Sequence, residues 1–173
     1  TGDITYKRYV NTVGSDEWDL IGTPVGGDNY ISTFLSANSG SLATNGSSPT
    51  TYAIGYYNNS SNSWANYDSG SVVNNSTAFE PGKGYQMASS GSEANQGKEV
   101  TFSGNPNTGT VTEPVINSET GGAGDNDHSN GTKFNLVSNP YPSFISVTSF
   151  ISIGFLRSGL SVPYFCKDSL YGI

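Results

Sequence analysis

Two stretches of this chain repeat one another at a fixed offset of 116 residues. Residues 17–36 read EWDLIGTPVGGDNYISTFLS, and residues 133–152 read KFNLVSNPYPSFISVTSFIS. Without a gap, six aligned pairs share their chemical character: Trp18–Phe134, Leu20–Leu136, Ile21–Val137, Pro24–Pro140, Ile31–Val147 and Phe34–Phe150. Such a spacing is too long for one turn of a solenoid and matches a whole small domain. The repeat therefore predicts one complete unit followed by the beginning of another.

Short strand-like stretches alternate with polar turns along the first 117 residues. They lie at 3–10, 17–24, 50–59, 63–70, 78–89, 97–104 and 109–117. Gly, Asn, Ser and Pro join them, and these residues are typical of tight turns. A turn signal about every 8–12 residues is typical of a β-sandwich. We therefore predict an all-β fold, an antiparallel β-sandwich of the jelly-roll or immunoglobulin-like type.

One stretch has helical rather than strand-like spacing. Ile31, Phe34 and Leu35 lie at i, i+3 and i+4, with Asp28 or Asn29 as the expected cap. Strong helix formers are otherwise sparse, and only 12% of residues are charged. We expect at most one short helix, near residues 29–37.

The repeat and a Gly-rich stretch divide the chain into three parts. We predict a β-sandwich module at residues 1–117 and a loop or linker at 118–131, SETGGAGDNDHSNG. Residues 132–173 either begin a second copy or supply strands that complete the first domain. The sequence leaves both alternatives open.

Charge and chemistry exclude several classes of function. The net charge is −7 and Lys and Arg total seven, so no basic patch for nucleic acid is expected. No apolar run reaches the ~20 residues of a membrane span. His128 and Cys166 are single residues of their types, and no hydrolase, zinc-protease or phosphate-loop motif is present. We predict that the protein is not an enzyme.

The Gly-rich stretch holds a candidate calcium site. Asp125, Asp127 and Ser129 offer oxygen ligands at i, i+2 and i+4. An EF-hand loop would continue with Gly at its sixth position and Glu at its twelfth, where this chain has Asn130 and Leu136. A solvated acidic loop is the favoured interpretation, so we expect no cofactor, with calcium as the alternative.

Aromatic residues flank a predicted hairpin loop and suggest a carbohydrate platform. Flat rings of Tyr56, Trp64 and Tyr67 would match the C–H faces of sugars if they were exposed on one face. Alternation along a strand instead places Tyr56 and Tyr57 on opposite faces, so core packing is favoured for at least one of them.

The second copy also suggests self-association. If it cannot complete a core alone, its strand edge and its apolar residues Phe134, Leu136, Val137 and Phe150 need a partner. That partner is either the first domain of the same chain or that of a neighbouring copy. The latter arrangement would build fibres by strand addition.

Several stretches resemble a module of large secreted surface proteins of flavobacteria and other Bacteroidetes. The resemblance is carried by ITYKRYVNTVGSDEWDLIGTPVGG, YAIGYYNNSSNSWANYDSG, FEPGKGYQMASS and EVTFSGNPNTG, and by residues 134–143, which match the signature GWNLVGNPYPS. Those proteins leave the cell by the type IX secretion route. The resemblance implies an extracellular, adhesin-like or structural module at the cell surface. We expect its partners to be other copies of itself or neighbouring domains of a larger surface protein, with glycans as the alternative. It stops at residues 144–173, which lack Asn and contain the single Cys.

Overall fold

The computed structural model describes residues 2–13, 18–27, 29–61, 63–91, 96–115 and 135–146. The elements are β1 (Ile4–Val10), β2 (Asp19–Ile21), β3 (Val25–Gly26), α1 (Ile31–Ala37), β4 (Thr51–Asn58), β5 (Ser63–Asp68), β6 (Tyr85–Met87) and β7 (Lys98–Pro106). Two 3₁₀ turns lie at Asn59–Ser61 and Val73–Asn75. The strands form a three-stranded sheet, β1-β7-β3, and a four-stranded sheet, β2-β6-β4-β5. The prediction of an all-β, sandwich-like fold with one short helix is confirmed.

The pairing of β1 with β7 joins two strands that are almost ninety residues apart in the chain. Ile4 lies opposite Gly104, and Val10 lies opposite Lys98. Exposure alternates along β1 as its sequence predicts, because the side chains of successive residues point to opposite faces of a strand. Such pairing between distant parts of the chain fixes the register of the whole sheet.

The core lies between the sheets and is rich in aromatic rings. Phe102 on β7 stacks on Phe34 of α1 with ring centroids 4.7 Å apart, and Phe79 packs edge-on against both. Tyr85 of β6 extends the cluster, 5.0 Å from Phe79. Aromatic pairs of this kind contribute beyond the apolar area that they bury.

The short helix owes its position to packing rather than to a cap. It begins after Tyr30, which makes no side-chain capping bond, so the predicted cap at Asp28 or Asn29 is wrong. The Asn29 side chain is instead buried and donates to the Thr23 hydroxyl, 2.7 Å away. Burial of Ile31 and Phe34 holds α1 against the core.

Residues after the predicted linker pair with the stretch before β6, a strand of the four-stranded sheet. The N–H of Gly84 donates to the carbonyl of Leu136 at 2.9 Å, and the N–H of Ser138 donates to the carbonyl of Gly82 at 2.7 Å. Val137 between them lies opposite Lys83 in antiparallel pairing and is buried. We call Leu136–Pro140 the docked segment. In this structure the docked segment contacts residues of its own chain.

No helix in the described ranges has the length and apolar character needed to span a membrane.

Candidate functional site

The three rings predicted as a carbohydrate platform do not lie on one face. Tyr56 and Tyr67 point inward, with centroids 5.5 Å apart and planes at 43°, and Tyr67 is only 8% exposed. Trp64 lies on the opposite face and is 44% exposed. The alternation expected for β4 thus places Tyr56 against the core.

A different pair of rings is on the outer face. Tyr57 lies directly opposite Trp64 in the β4–β5 pairing, and their centroids are 5.4 Å apart. The planes meet at 73°, an edge-to-face arrangement. The two rings support one another and do not form a coplanar platform.

A hollow of about 250 Å³ lies beside this hairpin, and we call it the β4 cleft. The end of β4, the turn before β6 and the docked segment all contribute to its walls. Its aromatic, ionisable and apolar wall residues include Tyr56, Tyr57, Glu80, Lys83, Glu113 and Leu136. The cleft therefore brings together side chains that are far apart in the sequence.

Three ionisable side chains surround the cleft. The Nζ of Lys83 lies 2.5 Å from Oε1 of Glu80 and 5.0 Å from the centre of the Tyr56 ring. An ammonium group at that distance from a ring is attracted by its negative face. Glu113 lies against Gly82, where an added Cβ would come within 3.1 Å of its own Cβ.

The Glu113 carboxyl is shifted towards its neutral form. Burial raises its pKa, and the nearby Glu80 carboxylate raises that pKa further, while Lys83 acts in the opposite direction. Loss of hydration disfavours the charged form of a carboxyl group, and a second negative charge adds to this. The cleft thus presents one ion-paired carboxylate and one carboxyl that protonates more readily than usual.

A buried tyrosine fixes the position of Glu80. The main-chain N–H of Glu80 donates to the hydroxyl of Tyr85 at 2.9 Å. Tyr85 is fully buried, and burial raises the pKa of its hydroxyl, although the bond from Glu80 opposes the shift. Burial likewise raises the pKa of Tyr67. Both phenols therefore remain neutral and act as structural supports of the cleft.

These groups have complementary binding chemistry. Ring faces accept apolar C–H surfaces, carboxylates accept hydrogen bonds from hydroxyl groups, and an ammonium group donates them. Ligand sites commonly combine mainly apolar walls with a few polar groups of this kind. The cleft is suited to a small ligand that carries many hydroxyl groups.

The model of a family described as a domain of unknown function (DUF8693) matches residues 1–159. The chain belongs to this family. No curated protein and no solved structure matches it. The matched range includes both sheets and the docked segment.

Other predicted site residues fall partly outside the described ranges. Asp125, Asp127 and Ser129, the candidate calcium ligands, lie outside the described residues, and so do Phe134 and Phe150. Within the described ranges, no group of three or more His, Cys, Asp or Glu side chains could hold a metal ion. The remaining residues predicted for self-association, Leu136 and Val137, line the β4 cleft.

Sequence reasoning did not single out Glu80, Lys83 or Glu113. It looked for carboxylates that are close along the chain, whereas Glu80 and Glu113 are 33 positions apart. The Pro-Gly pair of EPGKG lies within residues 78–89, which were predicted only as a strand-like stretch. Its flanking Glu and Lys, one on each side of a Pro-Gly pair, are the signal that could have drawn attention to an ion pair there.

Proposed function

We propose that this protein is a non-enzymatic adhesive module of a bacterial surface protein, and that its β4 cleft binds a saccharide. The observation that carries the proposal is the meeting of Tyr56 and Tyr57 with Glu80, Lys83 and Glu113 around one hollow of about 250 Å³. A sugar ring offers an apolar face to a tyrosine and hydroxyl groups to the charged side chains.

The extracellular location rests on composition and resemblance. A chain with few charges, one Cys and many Asn, Ser, Thr and Gly residues is typical of secreted bacterial β-proteins that derive their stability from sheet packing. The resemblance to flavobacterial surface modules points the same way. A secreted surface module also has frequent access to polysaccharides.

Binding is favoured over hydrolysis by the state of the carboxyl groups. A glycoside hydrolase needs one carboxyl as acid and a second as nucleophile or base. Glu113 has the raised pKa of an acid, but Glu80 is already ion-paired with Lys83 at 2.5 Å. That ion pair fits a role in orienting a ligand.

The experiment is a glycan array probed with the full chain, followed by affinity measurements on any glycan that it retains. We expect saturable binding, and we expect Tyr57→Ala to weaken it about tenfold, which corresponds to about 1.4 kcal/mol. The matched control is Tyr9→Ala, because Tyr9 is an exposed tyrosine on β1, in the other sheet. It should leave the affinity unchanged.

Three outcomes would contradict all or part of the proposal. An array without retained glycans, or a Tyr57→Ala variant that binds as tightly as Tyr9→Ala, would remove the cleft as a saccharide site. Release of reducing sugar from a retained glycan would show turnover and would overturn the non-enzymatic part alone.

A further inference from the structure

The docked segment occupies a site that is shaped for it. A Cβ added at Gly84 would collide with the side chain of Leu136, and one added at Gly22 would collide with the side chain of Ser138. Both glycines therefore make room for particular residues of the segment. With Gly82, Lys83 and Asn107, they form what we call the docking slot.

Polar contacts hold the segment along its length. Besides the two main-chain bonds of Gly84 and Gly82, the Ser138 hydroxyl donates to the carbonyl of Lys83 at 2.8 Å. The Asn107 amide donates to the carbonyl of Pro140 at 2.7 Å. These bonds satisfy main-chain N–H and C=O groups. At an exposed strand edge such groups are unpaired and can pair with a strand of another molecule.

Both copies of the repeated sequence pair with the stretch of residues 83–85, which begins in the docking slot. Ile21 pairs with Tyr85, and its counterpart Val137 pairs with Lys83, two positions earlier on the same stretch. Both are buried aliphatic residues followed by a small one, Gly22 or Ser138. One stretch of backbone thus pairs with both copies of the repeat.

Nothing in these contacts requires the segment to come from the same chain. Nineteen residues, 116–134, separate it from the preceding described range. For a flexible tether of this length, the effective concentration of its end is on the order of 1 mM and falls roughly as the −3/2 power of the length. At comparable protein concentrations, a segment from another chain can compete for the slot.

We propose that the docking slot accepts the Leu136–Pro140 segment of a second copy of this chain, so that chains exchange segments to form dimers and longer assemblies. The occupant is a second copy because the slot fits a Leu at Gly84, a small side chain at Gly22 and a carbonyl at Asn107, which this segment supplies in the right order. The inference is independent of saccharide binding in the β4 cleft.

Paired cysteine variants test the exchange. In a Cys166→Ser background, one chain carries Lys83→Cys and the other carries Val137→Cys. These positions lie opposite one another in antiparallel pairing, at a separation that a disulfide can bridge. The two chains are unfolded together, refolded at about 0.1 mM and oxidised. We expect roughly one chain in ten in a covalent dimer of one variant with the other.

The controls separate exchange from chance cross-linking. Thr5→Cys and Ser103→Cys lie opposite one another in the β1–β7 pairing, and a mixture of those single variants should give no mixed dimer above background. A chain that carries both Lys83→Cys and Val137→Cys should form an internal disulfide without a change in mass. Failure of that internal bond would overturn the proposal, because the docking itself would then be absent.

The unmodified chain provides a test that no substitution can confound. A protein concentration of about 10 μM during refolding lies far below the effective concentration of the linked segment, and one of about 1 mM is comparable to it. Light scattering should show monomer at the lower concentration and a substantial dimer fraction at the higher one. Monomer alone at both concentrations, or no mixed disulfide between the cysteine variants, would overturn the proposal.

Discussion

The side chain of Asn107 donates a hydrogen bond to the carbonyl oxygen of Pro140, 2.7 Å away. Its main-chain N–H donates at the same time to the carbonyl of Pro24, at 3.2 Å. Pro24 and Pro140 are aligned positions of the sequence repeat, and both are buried. One asparagine therefore joins the two copies at the point where each proline ends its strand-like stretch.

The Asn107→Ala substitution tests this joint. It leaves the bond to Pro24 in place and removes the one to Pro140, so we expect the free energy of unfolding to fall by about 1 kcal/mol. Urea denaturation measures the change. Asn105→Ala, at an exposed position of β7, is the control and should stay within about 0.5 kcal/mol of the parent. Equal stability of the two variants would contradict a stabilising hydrogen bond between Asn107 and Pro140.

Gly84 and Leu136 should show energetic coupling. Gly84→Ala places a methyl group against Leu136, and we expect it to cost about 1–3 kcal/mol. In a Leu136→Ala background the methyl group has room, so the same substitution should cost clearly less. A double-mutant cycle in urea measures the coupling, and Gly2→Ala, where nothing lies within 4 Å of an added Cβ, serves as the control. Equal costs in both backgrounds would argue against contact.

The aromatic core can be tested with two matched Phe→Ala substitutions. Phe102 is 1% exposed and contacts two other phenylalanine rings, so its removal should cost about 3–5 kcal/mol. Phe144 is 73% exposed, and its removal should change stability by no more than about 0.5 kcal/mol. Thermal and urea unfolding would both record the difference. Similar losses for the two would contradict the position of the core.

Glu113 should lower stability at neutral pH. Because its pKa is raised in the folded state, the folded protein binds more protons than the unfolded one between the ordinary carboxyl pKa of 4.5 and the raised value. Its contribution to the free energy of unfolding therefore falls as pH rises through that window and stays low above it. Glu113→Gln should raise the melting temperature at pH 7 and have little effect well below pH 4.5.

The control for this pH dependence is Glu99→Gln. Glu99 pairs with Lys7 on the exposed face of β1 and β7, where an ion pair contributes little. The control should give no gain at pH 7. A Glu113→Gln variant that is stabilised equally at every pH, or not at all, would contradict the burial of this carboxyl.

Much of the fold could be predicted because strand alternation is a local property. In β1 the exposed and half-buried positions follow directly from the sequence, and the hairpin of β4 and β5 follows from two aromatic stretches around a polar loop. Alternation also predicted that Tyr56 and Tyr57 lie on opposite faces, with at least one of them in the core. The helix was predicted from its spacing, but its cap was not. The Asn29 side chain hydrogen-bonds to Thr23 instead of capping the helix, and that contact depends on the tertiary structure.

The candidate site could not be predicted because it depends on long-range pairing. Glu80 and Glu113 become neighbours only through the turn at Gly82. The wall formed by Leu136 exists only because Gly84 pairs with it across more than fifty residues. The sequence shows the repeat, but it does not show which part of the chain pairs with the second copy.

The most direct test of this account is an NMR measurement of the pairing between the docked segment and the stretch before β6. We predict a nuclear Overhauser contact between the backbone protons of Val137 and Lys83, together with slow hydrogen exchange at the amides of Gly84 and Ser138, which are both hydrogen-bonded. Fast exchange at both amides with no contact between Val137 and Lys83 would show that the segment does not dock.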